Sequence, residues 1–147
     1  MPDLIWIVVA DGENCRFLAS EKRNADPVSA MPDIKIENPP TREQVSDKQG
    51  RNFESTGTRR SAYEPPTDPH RQGKRDFARK IAGILLDKAR ERAFDKLILV
   101  APPTMLGDLR AELSGEALER LMGEVNKDYT RFTPREIKEA LSDQFKV

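Results

Sequence analysis

One cysteine, one histidine and one tryptophan stand in a chain of 147 residues, and these scarcities exclude several kinds of chemistry. A lone thiol, Cys15, cannot form an internal disulfide, which fits a reducing compartment. A lone imidazole, His70, cannot assemble a typical zinc site of three or four side-chain ligands. Excess charge is missing too: Lys and Arg number 25, Asp and Glu number 25, and the net charge is zero. No global field therefore draws the chain to a polyanion or a membrane, and such contact must come from a local patch. The longest apolar run, Leu4 to Ala10, is too short to span a bilayer. It follows Asp3 and no basic segment, unlike a signal peptide. These absences predict a cytoplasmic protein with no membrane partner.

What is present is the pattern of a single α/β domain over residues 1–147. Leu4-Ile5-Trp6-Ile7-Val8-Val9-Ala10 is a continuous apolar run rich in β-branched residues and predicts a strand buried on both faces. Asp11-Gly12 is turn chemistry, and Cys15 to Ala19 predicts the returning strand of a hairpin. Val28 to Glu37 predicts a third strand, which Pro32 assigns to a sheet edge. Residues 38–73 hold five of the eleven prolines and few aliphatic side chains. They predict a long irregular loop, which inside a compact domain points to mobility or function. Between Thr41 and Arg75 stand eight Lys and Arg against five Asp and Glu, so this loop is mildly basic.

Lys74 to Ala93 reads as the main helix, with Phe77, Ala78, Ile81, Ala82, Leu85 and Ala89 on one face. Lys96 to Ala101 predicts a second central strand, ended by Pro102-Pro103. Thr104 is then expected to cap a helix carrying Leu106, Leu109 and Leu113, stopped at Ser114-Gly115. Leu121 to Asn126 predicts an edge strand. Thr133-Pro134-Arg135-Glu136 opens a last helix with a capping box. The expected architecture is a five-stranded mixed sheet, an antiparallel meander followed by a βαβ unit, with helices on both faces. Its succession matches a ribonuclease H-like arrangement.

Candidate chemistry is sparse. A two-metal nuclease of that architecture needs carboxylates on the first strand, the first helix and the end of the fourth strand. Asp11 lies just past the first strand, but the helix face is apolar and the fourth strand ends in Ala101-Pro102-Pro103. No metal and no cofactor are expected. Asp11 also reads as a turn residue, His70 as a residue just before the helix, and Cys15 as a packed strand thiol without a neighbouring base. Arg51, Arg59 and Arg60 can grip phosphates, and Tyr63 can stack on a base. Gly107 within the second helix calls for close packing on the sheet or a ligand approaching the backbone. Asp11, Pro102, Pro103, Gly107, Arg110, Lys127 and Asp128 outline a pocket at the sheet edge, since carboxyl ends of strands in open α/β sheets bind ligands.

Seven segments occur together in order: residues 6–12, Asp47-Lys48-Gln49-Gly50-Arg51, Asp68-Pro69-His70, Phe77-Ala78, residues 97–103, Leu106-Gly107-Asp108-Leu109-Arg110 and Lys127-Asp128-Tyr129-Thr130. This set resembles the bacterial host-attachment protein family, and the resemblance covers nearly the whole chain. That family is similar in turn to the middle domain of archaeal and eukaryotic peptide-chain release factors, which carries a Gly-Gly-Gln loop before a helix. No Gly-Gly-Gln occurs here; Gln49-Gly50 and Gln72-Gly73 do not supply it. The resemblance therefore implies a non-catalytic domain facing RNA or the ribosome, with Arg51, Arg59, Arg60, Tyr63 and His70 as contacts and an indirect effect on attachment. Two alternatives remain: a protein-interaction module, and a small hydrolase pairing His70 with Asp11 or Asp128.

Overall fold

A computed structural model describes residues 4–21, 25–36 and 69–145. β1 (Ile5–Ala10) is buried at every position, as its unbroken apolar run requires. It pairs antiparallel with β2 (Asn14–Ser20), from Ile5 opposite Ser20 to Ala10 opposite Cys15. β2 pairs antiparallel with β3 (Val28–Lys35), through a register that breaks on either side of Phe17. Pro32 is tolerated because β3 is an edge strand, where a missing N–H breaks no ladder on the open side.

α1 (Pro69–Arg90) then carries the chain across the sheet to β4 (Lys96–Val100), which lies parallel to β1 with Ile5 opposite Lys96 and Val9 opposite Val100. α2 (Pro103–Glu112) and α3 (Gly115–Glu119) lead to β5 (Leu121–Val125), parallel to β4 at the other edge. α4 (Pro134–Leu141) closes the described chain. The strand order is β3-β2-β1-β4-β5, so the meander, the parallel crossovers and the mixed sheet are as the sequence predicts.

The two faces of β1 divide the core, since alternate side chains point to opposite sides of a strand. Trp6, Val8 and Ala10 join Phe17, Leu97 and Leu99 beneath Phe77, Ile81, Leu85 and Leu109 of α1 and α2. Ile5, Ile7 and Val9 join Leu18, Ile98 and Val100 beneath Ile137 and Leu141 of α4. Trp6 anchors the larger layer, its ring 5.1 Å from that of Phe94 and 6.2 Å from that of Phe17.

Three local expectations change. α1 begins at Pro69, five residues before the expected start at Lys74, because proline's fixed φ suits a first helical turn. His70 accordingly lies inside the helix and not ahead of it. α2 is entered through Pro102, with Pro103 at its first position, so Thr104 lies inside the helix and makes no capping bond. Gly107 is exposed, and a Cβ there would meet nothing within 4 Å, so close packing does not explain it. The capping box of α4 does form: Glu136 N–H donates to Thr133 Oγ1 at 3.1 Å, and Thr133 N–H donates to Glu136 Oε1 at 2.8 Å.

Candidate functional site

The carboxyl ends of β1 and β4 lie side by side at the centre of the sheet. A cleft of about 330 Å³ opens there, lined by Asp11, Gly12, Arg71, Lys74, Pro102, Thr104, Met105 and Asp108. Each wall has a local cause. Asp11-Gly12 is the turn leaving β1. Asp11 Oδ1 accepts the N–H groups of Glu13 and Asn14 at 2.9 and 2.8 Å, and Gly12 takes the φ of +98° that L residues avoid. Pro102 ends the run of β4. Arg71 and Lys74 are three apart on α1 and share a face. Thr104 and Asp108 are four apart on α2 and do the same.

α1 and α2 are joined over the cleft by one two-pronged ion pair. Arg71 Nη1 donates to Asp108 Oδ2 and Arg71 Nη2 to Asp108 Oδ1, both at 2.6 Å. This hydrogen bonding pushes the Arg71 guanidinium further up from its already high range. Arg79 adds a second link to α2 through Glu112 at 3.5 Å. Lys74 differs. Its methylenes lie over the β1–β2 turn, 3.6 and 3.7 Å from where a Cβ on Gly12 would stand. It makes no ion pair with another described residue.

The polypeptide after β5 is drawn to the same turn. Thr130 Oγ1 lies 2.5 Å from Asp128 Oδ1 and 3.3 Å from Asp11 Oδ2. A hydroxyl has one proton to give, and the shorter contact takes it, so Asp11 Oδ2 keeps accepting capacity. Arg16 Nη1 donates to the carbonyls of Thr130 and Phe132 at 3.1 and 2.7 Å, which fixes this loop against β2.

This chain matches, over residues 6–141, a family described as protein required for attachment to host cells. The chain belongs to that family. No curated protein matches it. The host-attachment match spans every element that builds the cleft. Among the described residues no helix is long and apolar enough to cross a membrane.

The cleft lies at the centre of the sheet, not at the edge where a pocket was expected, and most of its walls are other residues. Of its expected residues, Asp11 and Pro102 line it. Pro103 and Gly107 are exposed on α2, and Lys127 is exposed after β5. Arg110 is turned to β5, where Glu124 takes its Nε and Nη2 and pushes the guanidinium further up. Asp128 reaches Asp11 only through Thr130. Arg51, Arg59, Arg60, Tyr63 and the side chain of His70 lie outside the described residues. Cys15 is fully buried, and burial, then the charges of Asp33 and Asp11, push its thiol far up, which keeps it protonated and unreactive. Arg71, Lys74, Thr104, Met105 and Asp108 escape the sequence reading. The available signal is the Pro69 start: a helix from there puts Arg71 and Lys74 on one face, whereas a start at Lys74 leaves Arg71 in a loop.

Proposed function

We propose that this host-attachment family member is a non-catalytic, cytoplasmic protein that binds structured RNA or the ribosome, and that its effect on attachment is indirect. The observation that carries the reading is the charge at the start of α1. Its first turn holds no acid, and Arg71, Lys74 and Arg75 follow within two turns. Helix N-termini favour anions and disfavour cations, so this arrangement concentrates positive potential where a phosphate would relieve it. The residues leading into α1 supply Arg51, Arg59 and Arg60 in sequence, and Tyr63 offers a stacking ring. The sequence resemblance to release-factor middle domains supports the same reading, and the absence of Gly-Gly-Gln argues against peptidyl-tRNA hydrolysis.

The test is sedimentation of tagged protein from lysate through sucrose at low and high salt. Co-migration with ribosomal particles at low salt, lost at high salt, is expected. Replacing Arg51, Arg59 and Arg60 together with Ala should weaken binding and flatten its salt dependence, because each phosphate contact contributes to the slope. Migration as free protein at both salts sinks the reading and favours a protein-interaction module. Recovery from the outer surface of intact cells would overturn the indirect role.

A further inference from the structure

The polar groups of the cleft leave a specific remainder once their protein partners are counted. Asp108 is spent on Arg71 through both oxygens. Asp11 Oδ1 is spent on two backbone N–H groups. What remains is the Lys74 ammonium, the Thr104 hydroxyl and Asp11 Oδ2, since neither Lys74 nor Thr104 has a hydrogen-bond or ion-pair partner among the described residues. The Lys74 stem crosses Gly12, next in sequence to Asp11, yet the ammonium and the carboxylate form no ion pair. A cation and an anion facing one cleft without closing on each other leave room for a ligand that answers both. Pro102 and Met105 add apolar lining to the same cleft.

We propose that the cleft binds a small phosphate ester carrying free hydroxyls, of the size of a sugar phosphate or a mononucleotide. The phosphate sits against Lys74 and the Thr104 hydroxyl, where a positive point charge and a rotatable O–H donor suit its oxygens. Arg71 and Asp108 pair with each other at that wall and leave Lys74 as its uncompensated cation among the described residues. The hydroxyls donate to Asp11 Oδ2, and the carbon skeleton lies on Pro102 and Met105. A volume of about 330 Å³ is at the lower end of the range for small-molecule sites, which fits such a ligand. The placement, outside the carboxyl ends of two parallel strands, is where open α/β sheets commonly take ligands. None of the residues of this site is Arg51, Arg59 or Arg60.

Calorimetric titration of the full chain with ribose 5-phosphate, adenosine monophosphate, inorganic phosphate and ribose tests the proposal. The two phosphate esters should bind saturably, inorganic phosphate more weakly, and ribose not at all. Lys74→Met keeps the stem over Gly12 and removes the charge. It should weaken ester binding by at least about tenfold, the effect of losing one charged contact, with the melting temperature unchanged. Thr104→Val should weaken both esters. Asp11→Asn should weaken the esters and leave inorganic phosphate binding unchanged; an Asp11 variant that fails to fold leaves Lys74→Met and Thr104→Val to decide. Absence of saturable ester binding, or equal affinity in Lys74→Met, overturns the proposal. Tighter binding of a 5′-phosphorylated oligonucleotide than of the mononucleotide would identify a nucleic-acid end as the source of the phosphate. Ester binding by the unsubstituted chain, with its ribosome co-migration absent at both salts, would sink the RNA reading and leave this site standing.

Discussion

Arg71 of α1 and Asp108 of α2 meet fork to fork, with both nitrogen–oxygen distances at 2.6 Å. The two residues are 37 apart in sequence and join helices on either side of β4. Asp108 is mostly buried, its side chain 13% exposed, while Arg71 is 32% exposed. Planar two-pronged pairing depends on the guanidinium shape and not on charge alone. A double-mutant cycle with Arg71→Ala and Asp108→Ala, followed by urea unfolding, should give a favourable but small coupling that shrinks with salt. Arg71→Lys should lose most of that coupling despite keeping the charge. A coupling of zero would mean the fork does not hold the helices.

Two exposed helix positions are set against stability. α1 ends in a left-handed residue, Arg92, at φ 64°. Ala93 N–H reaches Lys88 O at 2.9 Å and Arg92 N–H reaches Ala89 O at 3.0 Å, the double bond of a Schellman ending, where glycine is usual. Arg92→Gly should therefore stabilise the protein by about 1 kcal/mol. Gly107 is the converse. It sits in open space within α2, so Gly107→Ala should also add about 1 kcal/mol. Gly12→Ala, at φ +98°, should cost about 1–2 kcal/mol. Thermal melts of the three variants check these signs, and a destabilising Gly107→Ala would mark that backbone as a contact surface.

Cys15 couples stability to alkaline pH. Burial first, then Asp33 and Asp11, push its thiol far above the ordinary value near 9.0. The folded state thus holds the proton where the unfolded chain releases it. Stability from this group is fully present below pH 9 and falls as pH rises beyond it. Denaturant midpoints from pH 7 to 10.5 should decline, and Cys15→Ala should flatten the decline above pH 9 relative to its own value at pH 7. The native thiol should resist alkylation until denaturant is added. Rapid alkylation of the native protein would show that the β1–β2 hairpin opens readily.

Much of the architecture is local and therefore legible in the residue pattern. The unbroken apolar runs at Ile5–Ala10 and at residues 97–101 read as strands covered on both faces, because polar backbone and bulky side chains must both be satisfied inside. The i, i+4 series Phe77, Ile81, Leu85, Ala89 needs one apolar partner face. Asp11-Gly12 and Thr133 to Glu136 satisfy their own backbone groups within four residues, and these form as the sequence predicts. The family, too, is legible from short ordered segments.

Tertiary structure alone decided the rest, since it depends on pairings between residues distant in sequence. Arg110 meets Glu124 and not the cleft because the path through α3 turns β5 alongside β4. A Cβ at Gly123 would have to displace the ring of Phe145, 22 residues further along the chain. The cleft itself collects residues 11, 71, 74, 104 and 108 only once β4 lies parallel to β1 and sets the first turns of α1 and α2 over the strand ends. Periodicity shows which face of an element is apolar, but not which polar groups from separate elements will meet. Sheet register fixes those meetings, and with them the cleft that Lys74 and Asp11 share.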